Sequence, residues 1–219
     1  MQNTIELNDI SHHFDTVSER IELFCGLSQI IRAGETLAIA GPSGAGKSSL
    51  LSIAAGLEIP AGGKVRFTID GAEVDALTMR ANSGFIFQQF HLMPELDAIG
   101  NLALPLRLKG NRDAFDIAAS WLDRVGLKDR ARHRPHQLSG GEQQRIAVAR
   151  AFVTAPRFIF ADEPTGNLDM HTSESVAGLM FDFAKETACG LVIVTHSRRL
   201  AERADVSLFL EAGRLEAAA

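Results

Sequence analysis

Eight residues constrain this chain more than any others. Gly41-Pro42-Ser43-Gly44-Ala45-Gly46-Lys47-Ser48 fills every fixed position of the pattern Gly-x4-Gly-Lys-Ser/Thr, between an apolar run, Thr36 to Ala40, and a helix-like stretch, Ser48 to Leu57. Glycines let backbone wrap closely around phosphate, and the amides at a helix start face the anion. In such a loop Lys47 reaches the outer phosphates and Ser48 ligates Mg²⁺, so Gly41 through Ser49 form the candidate phosphate-binding set. A glycine-rich turn arising by chance is the alternative, and it is expected in about one chain of this length in a hundred, before a flanking strand and helix are required.

The rest of the sequence continues the alternation of short apolar runs with helix-like stretches, the pattern of a parallel sheet covered by crossover helices. Phe158 to Ala161, Leu191 to Val194 and Val206 to Leu210 have strand length, and Gly213 marks a turn after the last of them. Val65, Phe67 and Ile69 alternate like a half-buried strand, and with Phe85 to Phe87 they predict an antiparallel portion near the first strand. Val176, Leu179, Met180 and Phe183 recur at helical spacing, with Thr172 available as the N-cap. Between Phe90 and Leu138 the character changes. Pro94, Pro105 and Pro135 break the segment, and Ala114 to Val125 supplies one clear helix carrying the lone tryptophan, Trp121. Residues 90–138 read as a helical insertion into a core made of 1–89 and 139–219. The Ala-rich last few residues are expected to fray.

Composition narrows the function classes. With 219 residues, 46% of them hydrophobic, the chain supports one well-packed core. A net charge of −5 leaves no basic stripe for a phosphate backbone, so nucleic acid is not the expected partner. Cys25 and Cys189 match no metal spacing and read as reduced, small apolar side chains. Met1 to Ile10 alternates polar and apolar residues and carries Glu6 and Asp9, unlike a secretory signal, so a cytoplasmic location is expected. No apolar run reaches the length of a membrane span, and any membrane contact must come through a partner.

Two further segments carry chemistry. The Phe158 to Ala161 run delivers Asp162 and Glu163 at its C-terminal end, where open α/β sheets bind ligands; Asp162 suits a Mg²⁺ shell and Glu163 can orient or deprotonate a water. An ordinary acidic loop is the alternative. Leu138-Ser139-Gly140-Gly141-Glu142-Gln143-Gln144-Arg145 begins a helix running through Phe152, with capping-box spacing from Ser139 to Glu142. A plainly capped helix and a second anion site both fit, since two adjacent glycines cost helix stability and leave amides open.

In this order, the three motifs resemble the ABC ATPase family over nearly the whole chain. The Leu138 to Arg145 segment is similar to the family's signature, with Glu142 where Gln is most usual. The resemblance implies an α/β fold with a P-loop NTPase (RecA-like) core, an N-terminal antiparallel β portion and a helical subdomain insertion. It implies ATP and Mg²⁺ as cofactors, Glu163 as catalytic residue, Gln88 as a Gln-loop residue near the metal, Asp169 in the D-loop, and His196 after Thr195 as a switch. Gln88 is preferred over Gln89 by its place directly after Phe87. Each ATP is then held by the P-loop of one chain and by Ser139, Gly140, Gly141 and Glu142 of a second, so a homodimer forms on ATP binding.

The family stacks adenine on an aromatic residue upstream of the P-loop. This chain has no tyrosine. Phe14 fits the stacking role, a core phenylalanine is the competing reading, and His13 is a further alternative. Glu163-Pro-Thr-Gly-Asn-Leu-Asp169 and Phe85-Ile-Phe-Gln-Gln-Phe-His-Leu-Met-Pro94 look like the subgroup of lipoprotein-releasing, macrolide-exporting and cell-division ATPases. That subgroup implies an integral membrane transporter subunit as partner and a peripheral position on the inner face of the membrane. His91, Leu92, Met93 and Leu96 either form the surface for that partner or close the insertion's own small core.

Overall fold

The computed structural model describes residues 3–15 and 19–217. Met1, Gln2, Ala218 and Ala219, at the ends of two segments discussed above, lie outside them. In chain order the elements are β1 (Thr4–Asp15), β2 (Arg20–Arg32), β3 (Thr36–Ala40), α1 (Lys47–Ala54), β4 (Gly62–Ile69), β5 (Ala72–Val74), α2 (Ala76–Ala81) and β6 (Ser83–Phe87). There follow α3 (Ala98–Leu108), α4 (Ala114–Arg124), two short 3-10 turns at Lys128–Arg130 and Pro135–Gln137, α5 (Gly140–Phe152) and β7 (Phe158–Asp162). The chain continues through α6 (Met170–Thr187), β8 (Gly190–Thr195), α7 (Arg198–Ala201), β9 (Val206–Glu211) and β10 (Arg214–Ala217).

Two sheets result. Strands in the order β2-β1-β4-β5 form the antiparallel portion, and β10-β9-β3-β8-β7-β6 form the main sheet. Within the main sheet β9, β3, β8, β7 and β6 run parallel, and β10 returns antiparallel to β9. The β9–β10 hairpin turns through Ala212 and Gly213, both at positive φ, as a tight two-residue hairpin demands. β6 belongs to the main parallel sheet, paired with β7, and not to the antiparallel portion where the alternation of its neighbours had placed it. A five-residue strand buried at alternate positions looks the same in either setting, and only the pairing decides.

The central strands are buried on both faces, and their period of two sorts the core. Phe158, Phe160, Val192, Val194, Leu37 and Ile39 point to one side, against α1 and the antiparallel sheet. Ile159, Ala161, Leu191 and Ile193 point to the other, where α5 and α6 supply Ile146, Phe152, Val176 and Met180. Phe158 and Phe160 are essentially inaccessible, and each contributes about 1.5–3 kcal/mol through burial. Helices α3 and α4 add Leu102, Leu106, Trp121 and Leu122 to this second cluster. Trp121 meets Phe183 of α6 edge to face at 5.0 Å, and the Arg124 guanidinium lies 4.1 Å and 4.6 Å from the two ring centres. Helices α3 and α4 thus share the core of the sheet.

Three expectations need correction. Helix α6 begins at Met170, and its N-cap is Asp169 in place of Thr172: the Asp169 carboxylate accepts from the Thr172 N–H at 3.1 Å. An anionic cap also interacts with the helix dipole, which a threonine cannot do as well. Pro105 does not break the chain but sits inside α3, in its last turn, where burial of Leu102 and Leu106 in the core holds the helix despite the lost hydrogen bond. Helix α1 stops at Ala54 because Gly56 takes a positive φ of 69°, three residues short of the expected end.

Candidate active site

Parallel strands end on one edge, and this placement builds the site. The register pairs Ala40 with Thr195, Phe87 with Asp162 and Asp162 with Val194. The C-terminal ends of β3, β6, β7 and β8 therefore lie side by side. They bring the Gly41–Ser48 loop, Gln88, Asp162 with Glu163, and Thr195 with His196 to the edge where such sheets take ligands.

In the loop, Gly46 is the N-cap of α1 at φ 93°, and a Cβ there would come within 3.1 Å of Leu23 and 3.3 Å of the Phe24 ring. A side chain would meet both the strain of positive φ and crowding, which explains the glycine. Lys47 is 7% exposed and folds its ammonium over the loop, donating to the carbonyls of Gly41 and Pro42 at 2.9 Å each. Ser48 Oγ donates to Asp162 Oδ1 at 3.1 Å, so the fold brings together two residues far apart in sequence. Burial pushes the Asp162 carboxyl above its ordinary value and the neighbouring Glu163 charge pushes the same way, while Ser48 and Lys47 oppose them.

Glu163 continues the ladder by one residue, its N–H donating to Val194 O at 2.9 Å, and then turns at φ 45°. Positive φ is costly for a side chain other than glycine and is tolerated where the surroundings fix it. Here Thr195 Oγ1 donates to Glu163 Oε2 at 3.1 Å and His196 Nδ1 lies 3.0 Å from Glu163 Oε1. Gln88 turns its amide to the loop after Glu163: its Nε2 donates to Asn167 Oδ1 at 2.9 Å, and Asn167 Nδ2 donates back to Gln88 O at 3.1 Å.

The helix α5 opens on a closed capping box. Ser139 N and Oγ each donate to Glu142 Oε2 at 2.8 Å, and the Glu142 N–H returns to Ser139 Oγ at 3.3 Å. Those bonds, the backbone one first, hold the Glu142 carboxyl below its usual range. The box borders a cleft of about 420 Å³, lined by Ser139, Gly140, Gly141, Arg145, Asn167 and Asp169 among others. Gly141 is forced by the approach of α6, since a Cβ would lie 2.4 Å from Thr172 Cγ2. Asp169, on the opposite wall, is held ionised by hydrogen bonds from Thr172.

Phe14 is 46% exposed, so it is not a core phenylalanine; the buried His12 ring stands edge-on to it, 5.4 Å away. The His91 to Leu96 segment divides between its two readings. Leu92 packs against the second core cluster, whereas Met93 is 46% exposed.

Sequence reading missed the residues that hold these loops. Asn101, fully buried, accepts from Met93 N at 2.7 Å and donates to the carbonyls of Met93, Leu96 and Asp97. Arg150 donates to the carbonyls of Phe90 and His91, both at positive φ, and Gln144 donates to Pro164 O and Phe87 O. Their partners are backbone groups distant in sequence, which leave no motif.

A parallel sheet with a Gly-x4-Gly-Lys-Ser loop, a strand-end carboxylate pair and a histidine beside the second carboxylate defines a P-loop nucleotide hydrolase. The sequence profile of the ABC transporter family matches residues 24–166. Lipoprotein-releasing system ATP-binding proteins LolD are similar throughout. That of Hyphomonas neptunium is 40% identical over 98% of this chain and 97% of its own; that of Legionella pneumophila is 43% identical over 94% and 93%. The solved dimer of the ATP-binding cassette MJ0796 bound to ADP and Pi superposes with a TM-score of 0.84 at 34% identity, covering 97% of this chain and 98% of the other. The chain belongs to the ABC transporter family, as an ATP-binding and ATP-hydrolysing subunit.

Proposed function

We propose that two copies of this chain close head to tail around two ATP molecules and drive a separate integral membrane subunit, in a system for lipoprotein release or related mechanical work across the membrane. One observation carries the shared-site reading. The cleft at Ser139, Gly140 and Gly141 is walled by Asn167 and Asp169 and takes no lining residue from the Gly41–Ser48 loop of its own chain. A second phosphate-type helix start whose cleft takes no residue from its own P-loop fits the P-loop of another copy, and a solved structure of the bacterial ABC transporter cassette MJ0796 is dimeric.

Within each site Lys47 leaves its two carbonyls for the outer phosphates, Phe14 stacks on adenine and Glu163 takes the proton of the attacking water. Thr195 and His196 hold that carboxylate in place. Gln88 and Asn167 link β6 to the loop carrying Glu163, so movement at one reaches the other. Asp169 caps α6 at the edge where the second copy arrives. The donor set at Ser48 and Asp162 fits Mg²⁺: both are oxygen ligands, and Asp162 is a half-buried carboxylate at the strand end beside Ser48 Oγ. When bound, the ion neutralises charge on the outer phosphates. Gln88 completes the candidate metal set after release from Asn167. Residues 90–138 act as the lever, with Met93 exposed toward the membrane subunit.

Among the described residues no helix is long and apolar enough to cross a membrane, so a peripheral position on the inner face depends on that partner. The relatives at 40% and 43% identity support the lipoprotein-releasing branch. The test is affinity capture from detergent-solubilised membranes. Recovery of an integral membrane subunit with two copies of this chain supports the reading; recovery of the chain with ribosomes or nucleic acid overturns it.

A further inference from the structure

The capping box of α5 sets a problem for the second phosphate site. Glu142 keeps its carboxylate on Ser139, the residue that is to meet a phosphate of the partner's ATP, and at neutral pH that carboxylate is charged. An uncompensated anion beside the phosphate position opposes binding. It is not uncompensated. Arg130, in the 3-10 turn at Lys128–Arg130, donates from Nε to Glu142 Oε1 at 3.1 Å, the oxygen that Ser139 leaves unused. The Glu142 side chain is 19% exposed and that of Arg130 48%, and neither lines the cleft: the pair reaches it through the bonds of Glu142 to Ser139, which does. The cleft itself is lined by another cation, Arg145, with a buried Nε that has no hydrogen-bond partner.

We propose that Arg130 is a positioning residue for the shared ATP site. It neutralises Glu142 and draws one carboxylate oxygen away, so that the Ser139 hydroxyl and the Gly140 and Gly141 amides can exchange the capping box for a phosphate. The inference rests on the shared-site reading above and adds to it a residue from the helical insertion, through which movement of that insertion alters the affinity of the second site. Removing the guanidinium leaves the Glu142 carboxylate beside Ser139 without its cation. Replacing that carboxylate by an amide removes the need for the guanidinium.

The experiment is a titration of ATP-dependent dimerisation with adenylyl imidodiphosphate, followed by sedimentation velocity, on wild type, Arg130→Gln, Arg130→Gln/Glu142→Gln and Ser139→Arg. Nucleotide affinity of the dilute monomer and melting temperature are measured alongside. Arg130→Gln should need about fivefold more nucleotide for half-maximal dimer, the size one half-exposed ion pair carries, with monomer affinity unchanged. Adding Glu142→Gln to Arg130→Gln should bring the midpoint back down from that of the single variant, a rescue that a merely structural role for Arg130 does not explain. Wild-type behaviour of Arg130→Gln, or a double variant as poor as the single one, overturns the proposal. Dimerisation that is lost in Ser139→Arg but intact in Arg130→Gln leaves the shared site standing and removes only this inference. Normal dimerisation of Ser139→Arg removes both.

Discussion

His196 Nδ1 stands 3.0 Å from Glu163 Oε1, and Thr195 Oγ1 donates to the other oxygen of the same carboxylate at 3.1 Å. One strand end thus grips both oxygens of a residue held at φ 45°, and this grip fixes the direction of the carboxylate.

An amide in its place keeps the shape and loses the basicity. Glu163→Gln should bind ATP with wild-type affinity while turnover falls about 10²- to 10⁴-fold, and the ATP-bound dimer should accumulate on a sizing column. Wild-type hydrolysis by this variant would remove Glu163 from the catalytic role.

Lys47 offers a different signature. On the proposed function its ammonium, now on two loop carbonyls, serves the outer phosphates, so Lys47→Ala should lose about a hundredfold in ATP affinity, the scale of one or two charge-assisted hydrogen bonds. Isothermal titration reads this directly, and undiminished affinity contradicts the P-loop assignment.

Asp162 links the site to stability. Its carboxyl is raised in the folded protein by burial, so the folded state resists its ionisation. Below about pH 4 both folded and unfolded forms are protonated and the residue is neutral to stability. As pH rises the unfolded chain ionises first, and stability is lost until the folded carboxyl ionises too. In EDTA and without nucleotide, Asp162→Asn should therefore melt higher than wild type near neutral pH, with the gap closing toward pH 4. Equal melting temperatures at pH 7 would count against a strained carboxylate. With ATP and Mg²⁺ the order should reverse, because only wild type gains from the ligand.

The segment after Gln88 separates packing from docking. Asn101→Ala removes a fully buried side chain that makes four hydrogen bonds to the 93–97 backbone and should cost about 1–3 kcal/mol in denaturant unfolding. Met93→Glu, at a half-exposed site, should change stability by less than about 0.5 kcal/mol while weakening capture of the membrane subunit. A large loss of stability in Met93→Glu would make that residue part of the core.

What could be read from the sequence was what repeats or what is chemically rare. The alternation that sends Phe158 and Phe160 one way and Ile159 and Ala161 the other is a period-two signal, and it gave the central strands directly. The phosphate loop and the Asp162-Glu163 pair announced themselves by composition and by position after strands. Helix α3 was hidden because Pro105 reads as a breaker, and the tertiary burial of Leu102 and Leu106 that outweighs it leaves no local signal. Asp169 and Thr172 are both good caps three residues apart, and only the hydrogen bond between them decides which one starts the helix. The assignment of β6 failed because pairing is a long-range choice, here with a strand more than seventy residues onward. Asn101, Gln144 and Arg150 act on backbone carbonyls, and any sequence can supply those.

The central claim is that each ATP is held between two chains, and mixing two inactive variants tests it. Lys47→Ala spoils the P-loop and Ser139→Arg spoils the second helix start. If one chain built a whole site, every site in a mixed dimer would carry a fault. In a head-to-tail dimer one site collects both faults and the other receives two intact halves. The two variants, with different affinity tags, are allowed to exchange, and bound ATP is measured per isolated heterodimer. About one tightly held ATP per heterodimer is the expected result, while neither variant alone forms the closed dimer. A heterodimer that retains no ATP at any concentration contradicts the shared site and returns Ser139 to the role of a helix cap.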